Sequence, residues 1–345
     1  MVLGFAVFSA AFFGAGKGAA FAQKAQAAPS QGPHIARHIT HQIKSPVVRR
    51  VKARGVVRCG SVPRPGLAEM DGNGRWSGLE VDVCRAIAAA VLGPGGRIEY
   101  HGYETPMQFN AVRRQRDDVY FLTGSEISEQ RLAGSIVPGP VVFVESDSVM
   151  VPVGAVERHV MGLAGKSICF LSGSGAERGL SAYFGARQKS WLHMPFSEDG
   201  EMDDAYNAGR CRALASETTA LAAGLGGGSF LTGRILPEPL SVFPVLAATG
   251  TGDARWSSIV AWTIITLVSG DRQQTKWYAG GAGAMPAAAQ QLGLSEGWQR
   301  RVLSAVGDYG DIFEQDLGKG SRLKLKRGLN ADQPEGGLLL VPYLE

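Results

Sequence analysis

From Val51 onward, short apolar runs of strand length alternate with segments of helical period, and this alternation occurs twice. In the first set, Val56-Val57-Arg58-Cys59 reads as a strand ended by Gly60. Leu79, Val83, Ile87 and Val91, with Ala86 and Ala90 beside them, then repeat at helical spacing until Gly93-Pro94-Gly95-Gly96 stops the pattern. Arg97–Tyr100 is a second strand, Met107, Phe109 and Val112 begin a second helix, and Val119–Leu122 is a third strand. Strands linked by helices imply right-handed crossovers and an open, mostly parallel sheet. The second set has a strand at Ser167–Leu171, helices from about Gly175 to Ala186 and from Met202 to Ala208, and a strand at Cys211–Ala215. Between the sets, Val141–Val144 and Ser148–Val151 form an extended stretch able to cross from one domain to the other. The return run is Leu240–Ala247, and helices around Trp256–Val268 and Trp298–Phe313 close the chain. With 345 residues, two α/β domains are expected.

A composition of 45% hydrophobic and 19% charged residues is that of a globular protein. The net charge of +4 is small and its Lys and Arg residues are dispersed, which argues against nucleic acid as a partner. Val2–Gly16 is an apolar run of signal-peptide length, followed by Ala20-Phe21-Ala22 as a small-x-small cleavage site and Ala25-Gln26-Ala27 as a second. It is shorter than the ~20 apolar residues of a membrane span. Residues 1–22 are therefore expected to be a signal peptide and 23–48 a flexible leader. His34, His38 and His41 lie in that leader without an acidic or Cys partner close by, so no metal site is expected. Export makes the four cysteines candidates for disulfides. Three pairings are possible, and placement favours Cys59–Cys84 and Cys169–Cys211, each joining a strand run to an element nearby. No CxxC spacing suggests zinc.

Three places carry candidate chemistry. Ser174-Gly175-Ala176-Glu177 is a capping box directly after a strand, with Gly173 and Gly175 leaving backbone N–H groups open at the positive end of a helix, an arrangement suited to a carboxylate. Thr123-Gly124-Ser125-Glu126 ends another strand and Arg131 follows. Hydroxyls and amides at a strand's carboxyl end, with an Arg fork, form a carboxylate clamp. Glu217 follows the Arg212–Ala215 run and is an acid able to hold an ammonium. The sequence has no GxSxG elbow, no HExxH and no GxxxxGK[ST].

Longer segments resemble a known family, the polar-amino-acid-binding proteins of ABC transporters, and within it the general L-amino-acid-binding branch. They are Val51-Lys52-Ala53-Arg54-Gly55 before Cys59-Gly60, Trp76-Ser77-Gly78-Leu79-Glu80-Val81-Asp82-Val83-Cys84, Ala208-Gly209-Arg210-Cys211, Val306-Gly307-Asp308-Tyr309-Gly310-Asp311-Ile312-Phe313 and Arg327-Gly328-Leu329-Asn330. The resemblance implies a two-lobed type II periplasmic-binding fold, with residues 49–148 and 246–345 in lobe 1, 149–245 in lobe 2, and two crossing segments as hinge. It implies that Arg131 clamps the α-carboxylate of an amino-acid-like ligand, helped by Thr123, Gly124 and the amides near Ser174 and Gly175. Glu217 stands where the family has an Asp for the α-ammonium, Met70 near its usual cleft aromatic, and Glu126 near a position where the family prefers a hydroxyl. A monomer that serves an inner-membrane permease, without cofactor or catalysis, is the implied role. Two other readings remain open at this point. One is an exported cyclohexadienyl-type dehydratase using Glu126 or Glu217 as acid–base group. The other is a sensory or interaction protein with a degenerate cleft.

Overall fold

The computed structural model describes residues 45–104, 110–123, 136–273, 286–331 and 335–340. Helix α1 (Pro46–Arg54) opens with Ser45 as its N-cap, whose hydroxyl accepts the Val48 N–H at 3.0 Å, and with Pro at its first position. The end of the expected leader is therefore the first turn of a helix. Ser45 and the Val47 N–H both bond Asp253, 2.7 and 2.8 Å away, which ties that turn to the body of the protein.

Strand β1 (Val56–Ser61) follows, then the two-residue strands β2 (Glu69–Met70) and β3 (Trp76–Ser77), which pair as a hairpin. Next come α2 (Leu79–Leu92), β4 (Arg97–Gly102), the single-turn α3 (Asn110–Arg113), β5 (Val119–Thr123), β6 (Ile136–Val137) and β7 (Val141–Val151). The second set is β8 (Ser167–Leu171), α4 (Gly175–Gly185), β9 (Leu192–Phe196), α5 (Asp199–Asn207), β10 (Ala213–Glu217), α6 (Thr218–Gly227), β11 (Arg234–Ile235) and β12 (Ser241–Gly250). Helices α7 (Ala254–Gln273), α8 (Pro286–Leu292), α9 (Trp298–Val306) and α10 (Tyr309–Asp316) complete the chain.

The strands join one sheet in the order β4-β1-β5-β12-β7-β10-β8-β9, with β6 on β12 and β11 on β7. Both flanks are parallel: β4 and β5 on β1, and β10 and β9 on β8. The centre is antiparallel, β5 with β12, β12 with β7 and β7 with β10. The two extended runs read between the α/β sets are one continuous strand, β7. Its first half, Val142-Phe143-Val144, lies in a core shared with α2, α7, α9 and α10. Its second half, Val149-Met150-Val151, lies in cores built on β8, β10, α4, α5 and α6. The residues between these halves are Glu145-Ser146-Asp147-Ser148, polar and mostly buried.

Helix α2 shows why the first set folds: twelve of its residues are buried, and it packs on β1 and against α7 and α9. Cys59 on β1 is disulfide-bonded to Cys84 on α2, and Cys169 on β8 to Cys211 just before β10, the pairing that placement favoured. These links close loops of 25 and 42 residues, for about 3.5 and 4 kcal/mol in the loop-entropy account. The long apolar helix α7 is a core element, and no helix among the described residues is long and apolar enough to cross a membrane.

Two differences from the periodicity reading have clear causes. The Trp298–Phe313 run is two helices, because Gly307 at φ 80° ends α9 and Asp308 starts α10 with a capping box to Asp311. Gly226-Gly227, which reads as loop, is the last turn of α6. Gly226 lies so close to the Arg322 carbonyl that a Cβ there would stand 2.0 Å from its oxygen, so a glycine is needed where the two segments meet.

Asn330 ties the carboxyl-terminal segment to β7. Its amide accepts the Val144 N–H at 2.7 Å and donates to the Val144 carbonyl at 2.9 Å across 186 residues. Asn330→Ala strands a buried backbone donor. It should lower stability by about 2–3 kcal/mol, read as an earlier midpoint in urea unfolding with an unchanged slope.

Candidate functional site

In open α/β sheets, ligands bind beyond the carboxyl ends of parallel strands, where free backbone groups and helix starts converge. At the end of β8, Gly173 (φ 74°) turns the chain and Ser174 caps α4, its Oγ accepting the Glu177 N–H at 3.2 Å. Glu177 reaches back as the capping box predicts, but to the Gly173 N–H (2.6 Å), one residue earlier than the cap itself. At the end of β10, Glu217 is the strand's last residue and α6 starts immediately after it, with no side-chain cap bond from Glu217.

Asp147, on β7, stands beside the end of β10, with its carboxylate against Gly175 at the start of α4. It pairs in register with Glu217 on one side and Ser241 on the other, and residues opposite one another in an antiparallel ladder share a face. The Ser241 hydroxyl donates to the Asp147 carboxylate. A Cβ on Gly175 would lie 2.6 Å from Asp147 Oδ2, so the glycine is what admits that carboxylate to the start of α4. Burial raises the Asp147 carboxyl above its ordinary value, opposed by the Ser241 hydrogen bond and the charge of Arg178.

Two residues earlier on the same face is Glu145, fully buried. It accepts the Thr219 hydroxyl at 2.5 Å and the Ser146 N–H at 2.8 Å. Burial, reinforced by the negative charge of Glu217, pushes its carboxyl up to about 8, while the Arg64 charge acts in the opposite sense. Arg64 is itself buried and ion-paired with Glu80 at 3.1 Å. Tyr100 donates to Glu80 (2.9 Å) and lies 2.9 Å from the Ser61 hydroxyl, completing a buried polar network under the end of β1. On the opposite face of β7, the Thr218 hydroxyl lies 2.8 Å from Ser146 Oγ and 2.7 Å from Ser148 Oγ, at the edge of a cavity of about 450 Å³ that reaches Asn330 and Arg327.

The residues singled out from sequence are thus distributed as follows. Gly175 and Glu217 stand beside Asp147, and Ser174 caps the helix that Gly175 begins. Thr123 is the buried last residue of β5, opposite Val245 on β12. Met70 is 59% exposed on the β2–β3 hairpin and is not enclosed by other side chains in this arrangement. Gly124, Glu126, Arg131 and the three leader histidines lie outside the described residues. Among the described residues, no group of three or more His, Cys, Asp or Glu gathers to hold a metal ion.

Sequence reasoning missed Asp147, Glu145, Ser241 and the Arg64–Glu80 pair. A usable signal was present for the first two. Glu-Ser-Asp-Ser interrupts an otherwise apolar strand, VVFV before it and VMV after it, where buried charge is costly unless it serves a purpose.

The architecture, two parallel α/β halves joined through antiparallel strands with side chains converging at strand ends, is that of a two-lobed binding protein. No family model matches the chain. The chain is 30% identical over 315 residues to the general L-amino acid-binding periplasmic protein AapJ of Rhizobium johnstonii, covering 85% of this chain and 91% of that one. It is 29% identical to the glutamate/glutamine/aspartate/asparagine-binding protein BztA of Rhodobacter capsulatus, with the same coverage. Among solved structures, an ABC-transporter periplasmic binding protein from Brucella ovis with glutathione bound matches at a TM-score of 0.70 and 29% identity, over 85% of this chain and 97% of that one. The chain belongs to the family of amino-acid-binding periplasmic proteins of ABC transporters, with its two-lobed type II fold, as the sequence resemblance implied.

The high pKa of Glu145 has a calculable consequence. Its ordinary value is 4.5 and its folded value about 8, so the folded state binds its proton more tightly than the unfolded chain does. The stability this provides is complete below about pH 4.5, declines as pH rises towards 8, and is gone above it. Glu145→Gln should flatten that decline and be the more stable protein above pH 8 by a few kcal/mol at most, as measured by urea unfolding across the pH range.

Proposed function

We propose that the chain is an exported receptor that captures one amino acid, or a close relative of one, between its lobes and delivers it to an ABC-transporter permease in the inner membrane. Residues 1–22 direct export as a signal peptide. The lobes are 49–148 with 246–345, and 149–245, with β7 and β12 as the hinge strands. The receptor acts as a monomer and carries out no covalent chemistry. Its role in transport is to present the closed lobes to the permease.

The observation that carries this reading is the convergence of Ser174, Gly175 and Glu217 at the ends of β8 and β10, beside the strand that passes between the two sets of core residues. Glu217 would hold the ligand's α-ammonium. Its α-carboxylate would go to Arg131, with Thr123 and Gly124 at the end of β5, because Asp147 already occupies the space beside Gly175. Glu126 and Met70 would complete the rim. The family relationship supports the same assignment.

Isothermal titration calorimetry against a full set of amino acids should find one ligand site per chain. Arg131→Ala should weaken binding by about a hundredfold or more, since it removes a charge-assisted pair from a desolvated site. A set that yields neither heat nor a thermal shift would sink the receptor reading.

A further inference from the structure

Helix α6 belongs to two packed regions at once. Leu221 lies in the core built on β8, β10 and α5, whereas Ala222 and Ala223 lie in the core of α2, α7, α9 and α10. Its last turn meets the segment after α10. A Cβ on Gly226 would stand 2.0 Å from the Arg322 carbonyl oxygen, and one on Gly227 3.2 Å from Arg322 Nη1. From there the Arg322 guanidinium reaches two partners. Nη1 donates to the Ala223 carbonyl on α6 at 3.2 Å, and Nη2 donates to the carboxylate of Glu69 on β2, forming an ion pair. The other Glu69 oxygen accepts the Gly66 N–H at 3.0 Å, so that carboxylate is held on both sides. A guanidinium is a rigid fork of donors, which lets one side chain hold two partners in a fixed relation; an ammonium on a flexible stem does not.

Resting on the receptor reading above, this contact crosses between lobes. α6 falls within 149–245, and Glu69 and Arg322 fall in the lobe of 49–148 and 246–345. It also joins the two elements that carry candidate ligand residues. Met70 follows Glu69 on the β2–β3 hairpin, and α6 starts directly after Glu217.

We propose that Arg322 is a positioning residue for ligand capture, which acts without touching the ligand by fixing α6, and Glu217 ahead of it, against the β2–β3 hairpin. The Arg322 side chain is 44% exposed, so replacing it opens no cavity in the core. Pulsed electron paramagnetic resonance on the ligand-free full chain tests the tie, with nitroxide labels on Asn73→Cys at the hairpin turn and Ser229→Cys just past α6. The four native cysteines are in disulfides and take no label. The distance distribution should broaden in Arg322→Ala, in Arg322→Lys and in Glu69→Gln, which leaves the arginine in place. Distributions unchanged in these variants overturn the proposal, and so does full rescue by Arg322→Lys. Calorimetry with each of the twenty standard amino acids then reads the consequence. Whichever binds the parent should bind Arg322→Ala about fivefold more weakly, the size expected of an exposed pair, and adding Glu69→Gln to that variant should weaken it little further. Broadened distances with unchanged affinity overturn the positioning role. Should none of the twenty bind the parent, the receptor reading fails and the positioning role with it, whereas the distances still decide whether Arg322 ties the two elements.

Discussion

The structure depends on a strand that must be apolar at both ends and polar in its middle. β7 enters one core with Val142-Phe143-Val144 and leaves through another with Val149-Met150-Val151; Phe143 and Val144 pair with β12, Val149 and Met150 pair with β10, and Val151 pairs with β11. Because side chains alternate along a strand, a slip of one residue would turn each valine out of its core. The two anchors therefore fix Glu145-Ser146-Asp147-Ser148 between them. Odd positions face Glu217, Ser241 and the start of α4, and even positions face Thr218 and the carboxyl-terminal segment.

That placement is energetically demanding, and the surrounding residues answer it with neutral donors rather than with cations. Thr219, Ser146 and Ser241 bond the two acids, and Glu145 responds by holding its proton to about pH 8. The pair sits on β7, the strand that runs from one set of core residues to the other. Asn330 adds a tie from the far end of the sequence to the same strand, so the segment beyond α10 is bonded to β7 rather than a free tail.

The elements legible in the sequence were those whose periodicity is local. α2 and the strands β1, β4, β5 and β8 bury regular apolar faces, and spacing alone locates them. α1 was missed because its nine residues bury only Val51 completely, with Val47 and Val48 packed part-buried beside the core, a pattern too short to show a period, although Ser45 and Pro46 announce its start. α6 was missed because Ala and Gly give it almost no amphipathic contrast, and its glycines serve a close approach to a segment nearly a hundred residues away. Glu217 was legible as an acid near a strand end. Its true position, as the strand's final residue beside Asp147, rests on register across β10 and β7.

By itself the sequence determined two parallel α/β sets, their cysteine pairing and their kinship, because apolar period, turn residues and motif spacing are properties of neighbouring residues. Only the tertiary structure decided that Asp147 lies against Gly175, between Glu217 and Ser241, and that Glu145 lies buried beneath them. Those four neighbours come from three strands and a helix start spread over some ninety-four residues, and their meeting is set by ladder register and by the missing side chain of one glycine. Electrostatic energy depends on distance in space, so the charge character of the cleft could not be read until the chain had brought its acids together.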